Sequence, residues 1–324
     1  MTGEWRPRLE RPAPATWPRA VDPAGLAGPT RGAAAGPHWR RTSQGRYVPR
    51  VVDSSRPEQR IVEAYARTDG TGAVTGWAAL RLHGAAYFDG AGLPVLLLEG
   101  GRRLRPTAQV TVLRALLDEG QVVIRNGVRC TRPERALRDH LAVTAGLREA
   151  VVSIDMAFAA EVTSPRRLRA TLARRWAGAL DLADERSVSP QETRFRLVWQ
   201  LDAGWARPLV NRDVLDLDGR LLGRPDLLDA DRGIVGEYAG AMHRDASRHR
   251  RDVRREDLFR RAGLEYVEVV ADDLRDPSLV VERMEAAAAR AGRQPRRWRL
   301  GPAPAPLDDR LDHRDAMVRL AEGG

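Results

Sequence analysis

The chain contains no lysine, so all 54 of its basic residues are arginine. It has one cysteine, Cys130, which excludes an intramolecular disulfide framework and a cysteine-rich zinc site. Aromatic residues make up only 5%, yet eight of them are tryptophan. No apolar run approaches the length of a membrane span, so no membrane partner is expected. The N-terminal stretch is rich in Arg and Pro and lacks the apolar segment of a secretory signal. A soluble, cytoplasmic protein is the expectation.

What is present in excess is positive charge. The 324 residues carry a formal net charge of +10 and a pI near 10.9, which suits a polyanionic partner such as nucleic acid. The load of Arg, Ala, Gly and Pro is also that of a GC-rich coding sequence, and that share of the arginine excess says nothing of function. At this length two or three folded units are expected, and a hydrophobic fraction of 43% supports ordinary cores.

Residues 1–28 show no hydrophobic period and read as a disordered tail. Residues 29–185 read as a mixed, mainly helical region with a small hairpin. That hairpin, Trp39 to Pro49 around a Ser-Gln-Gly turn, is either the wing of a small winged helix or an ordinary surface hairpin. Asn126-Gly127 between two apolar runs predicts a second hairpin. Thr131-Arg132-Pro133-Glu134 reads as a capping box opening a helix through Ala136, Leu137 and His140. The helix from Leu147 to Ala160 is apolar on most faces and is expected to be buried.

From Ser189 the pattern becomes regular. A helix is expected from Pro190 to about Ala203, then strands over Pro208–Leu215, Leu221–Leu228 and Ile234–Ala239. An arginine-rich helix from about Asp245 to Ala262, a strand over Glu265–Val270 and a helix over Pro277–Ala291 complete the unit. Residues 292–324 are Pro-rich and read as a loose tail, apart from a helix over Arg314–Ala321. The fold class is α+β or α/β, with an αβββαβ core over residues 186–291.

Two carboxylates stand at the centre of that core, in Gly223-Arg224-Pro225-Asp226 and in Glu237-Tyr238-Ala239-Gly240. With a two-residue strand period, Leu222, Arg224, Asp226 and Leu228 share one face, as do Val235, Glu237 and Ala239. If the two strands are neighbours, Asp226 and Glu237 meet on one side of the sheet. Paired carboxylates are costly without a cation between them, and hard oxygen ligands favour Mg²⁺ or Mn²⁺.

The element order and these residues resemble the PD-(D/E)XK nuclease superfamily, and more closely its branch related to very-short-patch-repair endonucleases. In that branch the third strand commonly reads Glu-x-Asp-Gly-x-x-His; here it is Glu237-Tyr238-Ala239-Gly240-Ala241-Met242-His243. The resemblance covers about 100 residues and implies a restriction-endonuclease-like core. It implies Asp226 and Glu237 as metal ligands and Glu192 as an accessory acid. Glu192 also completes the capping box Ser189-Pro190-Gln191-Glu192, and the two roles are compatible. Where the superfamily often carries a lysine, this chain carries Ala239. Either His243 supplies proton transfer, with His249 a second candidate, or the copy has kept the fold and lost the chemistry.

Arg244, Arg248, Arg251 and Arg255 recur at one-face helical spacing. Such a stripe can follow a nucleic-acid backbone, or it can be a solvated face paired with Asp245, Asp252, Glu256 and Asp257. In the front half, Val74 to Gly84 and Thr131 to Leu137 resemble the central part of AbiEi-type antitoxin proteins. That resemblance implies a DNA-binding repressor with a cognate toxin or other defence-system partner; His83 within it reads as a packed or surface residue. Two functions follow as expectations. One is a DNA-binding, metal-dependent endonuclease. The other is a non-catalytic antitoxin-type regulator that retains the nuclease fold.

Overall fold

The computed structural model describes residues 5–100, 103–115, 117–144, 146–240 and 255–322. These divide into two units, Met1–Ala145 with Ala160–Ala177, and Gly146–Ala159 with Gly178–Gly324. Both combine helices with sheets. Among the described residues no helix is long and apolar enough to cross a membrane.

The first unit holds β1 (Arg19–Ala20), α1 (Arg31–Ala35), β2 (Trp39–Ser43), β3 (Arg46–Pro49) and α2 (Pro57–Tyr65). There follow β4 (Ala73–Thr75), α3 (Gly76–Leu82), β5 (Val95–Leu98), β6 (Val110–Leu113), β7 (Val122–Arg125), β8 (Val128–Thr131) and α4 (Pro133–Leu141). Strands β4 to β8 make one sheet in the order β6-β5-β4-β8-β7, so the mainly helical expectation for this region is corrected. Strands of three or four residues are too short to show an alternating period. The second hairpin is as expected: Asn126 and Gly127 take φ of 50° and 77°, the left-handed pair that a tight turn between twisted strands requires.

Three further expectations are corrected here. Residues 5–28 are ordered against their own unit: Arg19 and Ala20 pair with Tyr47 and Arg46, Trp17 meets Tyr65 edge-on at 6.0 Å, and Thr16 N donates to Gln59 Oε1 at 2.8 Å. A scan for periodicity cannot see such single contacts. The capping box at Thr131 is absent, because Thr131 lies in β8 with its hydroxyl 2.9 Å from that of Thr75, and Glu134 accepts from Thr163. The Ser164–Trp176 stretch, whose composition leads one to expect a single helix, is broken into α6 (Pro165–Arg169) and a 3₁₀ turn at Arg174–Trp176. His83 is packed as read: its Nε2 lies 2.9 Å from the Thr131 carbonyl, and burial pushes the imidazole down to about 4.

The second unit starts with α5 (Gly146–Ala159), which the domain boundary expected at residue 185 had left in the front half. After α7 (Ala177–Leu182), α8 (Pro190–Leu197) continues into a π turn at Val198–Asp202. The main sheet has the order β14-β13-β12-β9, built from β9 (Leu209–Val210), β12 (Leu227–Asp229), β13 (Ile234–Ala239) and β14 (Glu265–Val270). Only the β13–β14 pair in it is parallel. A second sheet, β11-β10-β15, uses β10 (Val214–Asp216), β11 (Leu221–Gly223) and β15 (Trp298–Leu300). Helical residues 255–261 form α9; α10 (Pro277–Arg290) and α11 (Leu307–Glu322) follow.

Two expected strands are thus each divided between two sheets. The first breaks at Asn211, which sits at φ 48°, a conformation that Asn tolerates better than most side chains. The second breaks at Arg224-Pro225-Asp226, where Pro lacks the ladder donor. The tail expected to be loose is instead bound, since Val214 pairs with Leu300 and Trp298, Leu307 and Leu311 are buried.

The main sheet carries a core on each face. Phe195, Trp199, Trp205, Val210, Leu227, Ile234, Val267 and Met284 pack on one side, under α8 and α10. Leu228, Val235, Phe259, Leu264, Tyr266 and Trp298 pack on the other. Adjacent residues of β12 and β13 enter opposite cores, as a two-residue period demands. Gly236 lets the first face close: a Cβ there would come within 2.7 Å of the Phe195 ring.

Candidate active site

Leu227 pairs with Gly236, Leu228 with Val235 and Asp229 with Ile234. One more step of that register sets Asp226 opposite Glu237, on the same face of the sheet. The expected meeting of these two carboxylates is therefore what the register produces, although Asp226 sits in the kink before β12 and not inside a long strand. Leu222 and Arg224 do not share its strand, because the chain has changed sheet between them.

Asp226 is locked at that kink. Its carbonyl accepts from Asn211 N at 3.1 Å, and its Oδ2 accepts from Tyr238 N at 2.7 Å. Glu237 is buried, and its Oε2 accepts from the Arg255 guanidinium at 3.0 Å. Glu192 reaches the same group from the first turn of α8. Its Oε2 accepts from Val188 N at 3.1 Å and from Asn211 Nδ2 at 3.0 Å, while its own N–H donates to Ser189 Oγ at 3.2 Å. Glu192 therefore caps its helix, and its charge also acts on Asp226.

Burial and neighbouring charge both act on the acids. Burial holds the Asp226 carboxyl well above the usual carboxylate range, and the charges of Glu192 and Glu237 push it the same way. The Tyr238 N–H and the Arg255 charge only partly offset this. Burial also raises Glu192, against the hydrogen bonds from Val188 and Asn211. A carboxyl whose folded value is raised favours the protonated fold. Its stabilisation is full below the unfolded value and is lost as pH rises through the folded one. Asp226→Asn, which keeps an acceptor for Tyr238 N, is expected to stabilise the metal-free protein at neutral pH, with the advantage shrinking in acid. Thermal unfolding in EDTA across that range reads it directly; equal midpoints at neutral pH would contradict the assignment.

Among the described residues no three His, Cys, Asp or Glu side chains surround a common point as a closed metal centre requires. Mg²⁺ needs less, since it keeps several waters and is commonly held by one or two carboxylates. Asp226 and Glu237, two carboxylates in opposite register, match that donor set in chemistry.

The other expected site residues fare differently. His243, Arg244, Arg248 and Arg251 lie outside the described residues, as does His249. Arg255 is described, and it is engaged with Glu237 and packs its Cδ over Gly223. Of the arginine stripe, Arg255 is therefore the member seen paired with an acid, Glu237. Ala239 closes β13 opposite Val270 and brings no functional group. Asn211 was missed; the only signal for it was a polar Asn-Arg-Asp break after an apolar run. Protein-family models, curated proteins and solved structures were all compared with this chain, and none matches it.

Proposed function

We propose that the second unit is a PD-(D/E)XK-type nuclease domain that binds DNA and hydrolyses phosphodiester bonds with a divalent metal. The observation that carries this reading is the strand register that sets Asp226 opposite Glu237, with the charges of Glu192 and Glu237 both acting on Asp226. The order α8, β9, β12, β13, α9, β14, with a single parallel pair at β13–β14, supports the same reading. Asp226 and Glu237 would hold the ion. When bound, Mg²⁺ or Mn²⁺ supplies a lowered water pKa and neutralises charge on a phosphoryl oxygen. A bound cation would offset the burial and the neighbouring acids that hold the metal-free Asp226 carboxyl above the usual carboxylate range. Arg255 holds Glu237 in place and brings a cation to a site that lacks lysine.

A second reading has its own support. Ala239 removes the lysine position, and the Arg255 guanidinium already supplies a positive charge to Glu237. Both suit a non-catalytic, antitoxin-type DNA-binding regulator, with a cognate toxin as partner. Supercoiled plasmid separates the two. The nuclease reading expects nicking with Mg²⁺ or Mn²⁺ and none in EDTA. A salt-dependent gel shift without any cutting gives the regulator reading instead.

A further inference from the structure

The first unit contains a cavity of about 590 Å³ that shares no residue with the carboxylate group. Five arginines line it: Arg46, Arg60, Arg67, Arg103 and Arg105. Two acids do so as well, and both are already engaged. Asp69 pairs with Arg46 at 3.0 Å, and Glu63 pairs with Arg40 at 2.7 Å. Arg60, Arg67, Arg103 and Arg105 form no ion pair among the described residues.

The inner two are held by uncharged groups. Arg60 donates to the carbonyls of Gly90 (2.7 Å) and Leu93, and its Cζ lies 4.9 Å from the Trp77 ring centroid. Arg67 donates to the Arg105 carbonyl at 2.5 Å and to Thr107 Oγ1 at 3.4 Å. Each guanidinium has about five N–H donors, so several on each remain unspent. Burial lowers the proton affinity of both, the cost of holding a cation away from water and from a carboxylate. Asp89 is near enough to act on Arg60 but forms no ion pair with it. Two cations so held, with the exposed Arg103 and Arg105 at the same cavity, prepare it for an anion of comparable charge.

We propose that this cavity binds a nucleoside polyphosphate through its phosphate groups. Planar guanidinium donors match phosphoryl oxygens in pairs. A di- or triphosphate carries about three to four negative charges, which balances the uncompensated arginines; a single phosphate does not. The volume lies in the range of small-molecule sites, roughly 300–1,000 Å³. Buried Ala64, Val95, Leu104 and Val110 offer an apolar wall for the base, with Thr42 and Gln109 at hand for the sugar. Among the described residues no aromatic side chain lines the cavity, so it lacks the stacking platforms with which grooves follow a nucleic-acid strand.

Equilibrium dialysis of the full chain in EDTA tests this, with labelled ATP and with adenosine, ADP and a single-stranded 12-mer as competitors. ADP and unlabelled ATP are expected to displace the label at least about tenfold more tightly than adenosine, and the 12-mer not at all. Arg103→Ala/Arg105→Ala alters two exposed side chains, so it should keep the parent unfolding midpoint while weakening ATP at least about tenfold. Asp226→Asn should bind ATP as the parent does, which keeps this result separate from the fate of the nuclease reading. The proposal is overturned if adenosine competes as well as ATP, or if the double variant holds ATP like the parent. It is also overturned if the 12-mer displaces ATP, which would make the cavity part of a strand-binding groove.

Discussion

Asp226→Ala and Glu237→Ala are each expected to reduce metal-dependent DNA cleavage by about a hundredfold or more. The effect is large because the two side chains act as one unit. On the proposed reading either substitution leaves the ion with a single protein carboxylate. The double variant should be no worse than the singles, the non-additivity of groups that serve one ion. Glu192→Gln should cost less, because its cap to Val188 and its bond from Asn211 can be kept by an amide oxygen. Nicking of supercoiled plasmid under Mg²⁺, each variant purified in parallel with its parent, is the readout. Equal cutting by the double variant and the parent would mean the activity belongs to a contaminant.

The second large effect concerns stability. Asp155 on α5 and Arg196 on α8 form an ion pair at 2.6 Å with both side chains fully buried. Asp155 also accepts from Thr193 Oγ1 at 2.8 Å and from Asp184 N at 2.7 Å. Arg196 in turn donates to the Leu182 carbonyl and to Gln200 Oε1 at 2.9 Å. Removing one partner leaves the other charged and dry. Asp155→Ala is therefore expected to cost about 3–5 kcal/mol. In a unit of this size that is a fall of roughly 10 °C in unfolding midpoint. Replacing both, as Asp155→Leu with Arg196→Met, should recover most of the loss, because the penalty comes from the orphaned charge. A single variant within about 0.5 kcal/mol of the parent, the scale of an ordinary surface change, would show that the pair is not dry.

Much of the second unit was legible before any coordinates. The elements β13, β14 and α10 fall within a residue of their expected positions, and α8 starts where expected but gives way to a π turn after Leu197, because each is long enough to display its period. Glu237 stood out on a different ground: an acid inside an apolar strand needs a partner. The breaks at Asn211 and Pro225 were not legible, since apolar residues continue on both sides of each. Strand β15 was hidden in a Pro-rich tail whose composition masks the one buried tryptophan. The two ion pairs that matter most, Arg255 with Glu237 and Arg196 with Asp155, join residues 18 and 41 positions apart. No spacing rule reaches that far, and in a chain so rich in arginine no single arginine stands out.

Titration calorimetry with Mn²⁺ on the full chain asks the central question without reference to DNA. Parent protein should take up an ion with heat that vanishes in both Asp226→Asn and Glu237→Gln, and survives in Arg103→Ala/Arg105→Ala. Identical Mn²⁺ isotherms for the parent and the two carboxylate variants would contradict a metal held by Asp226 and Glu237.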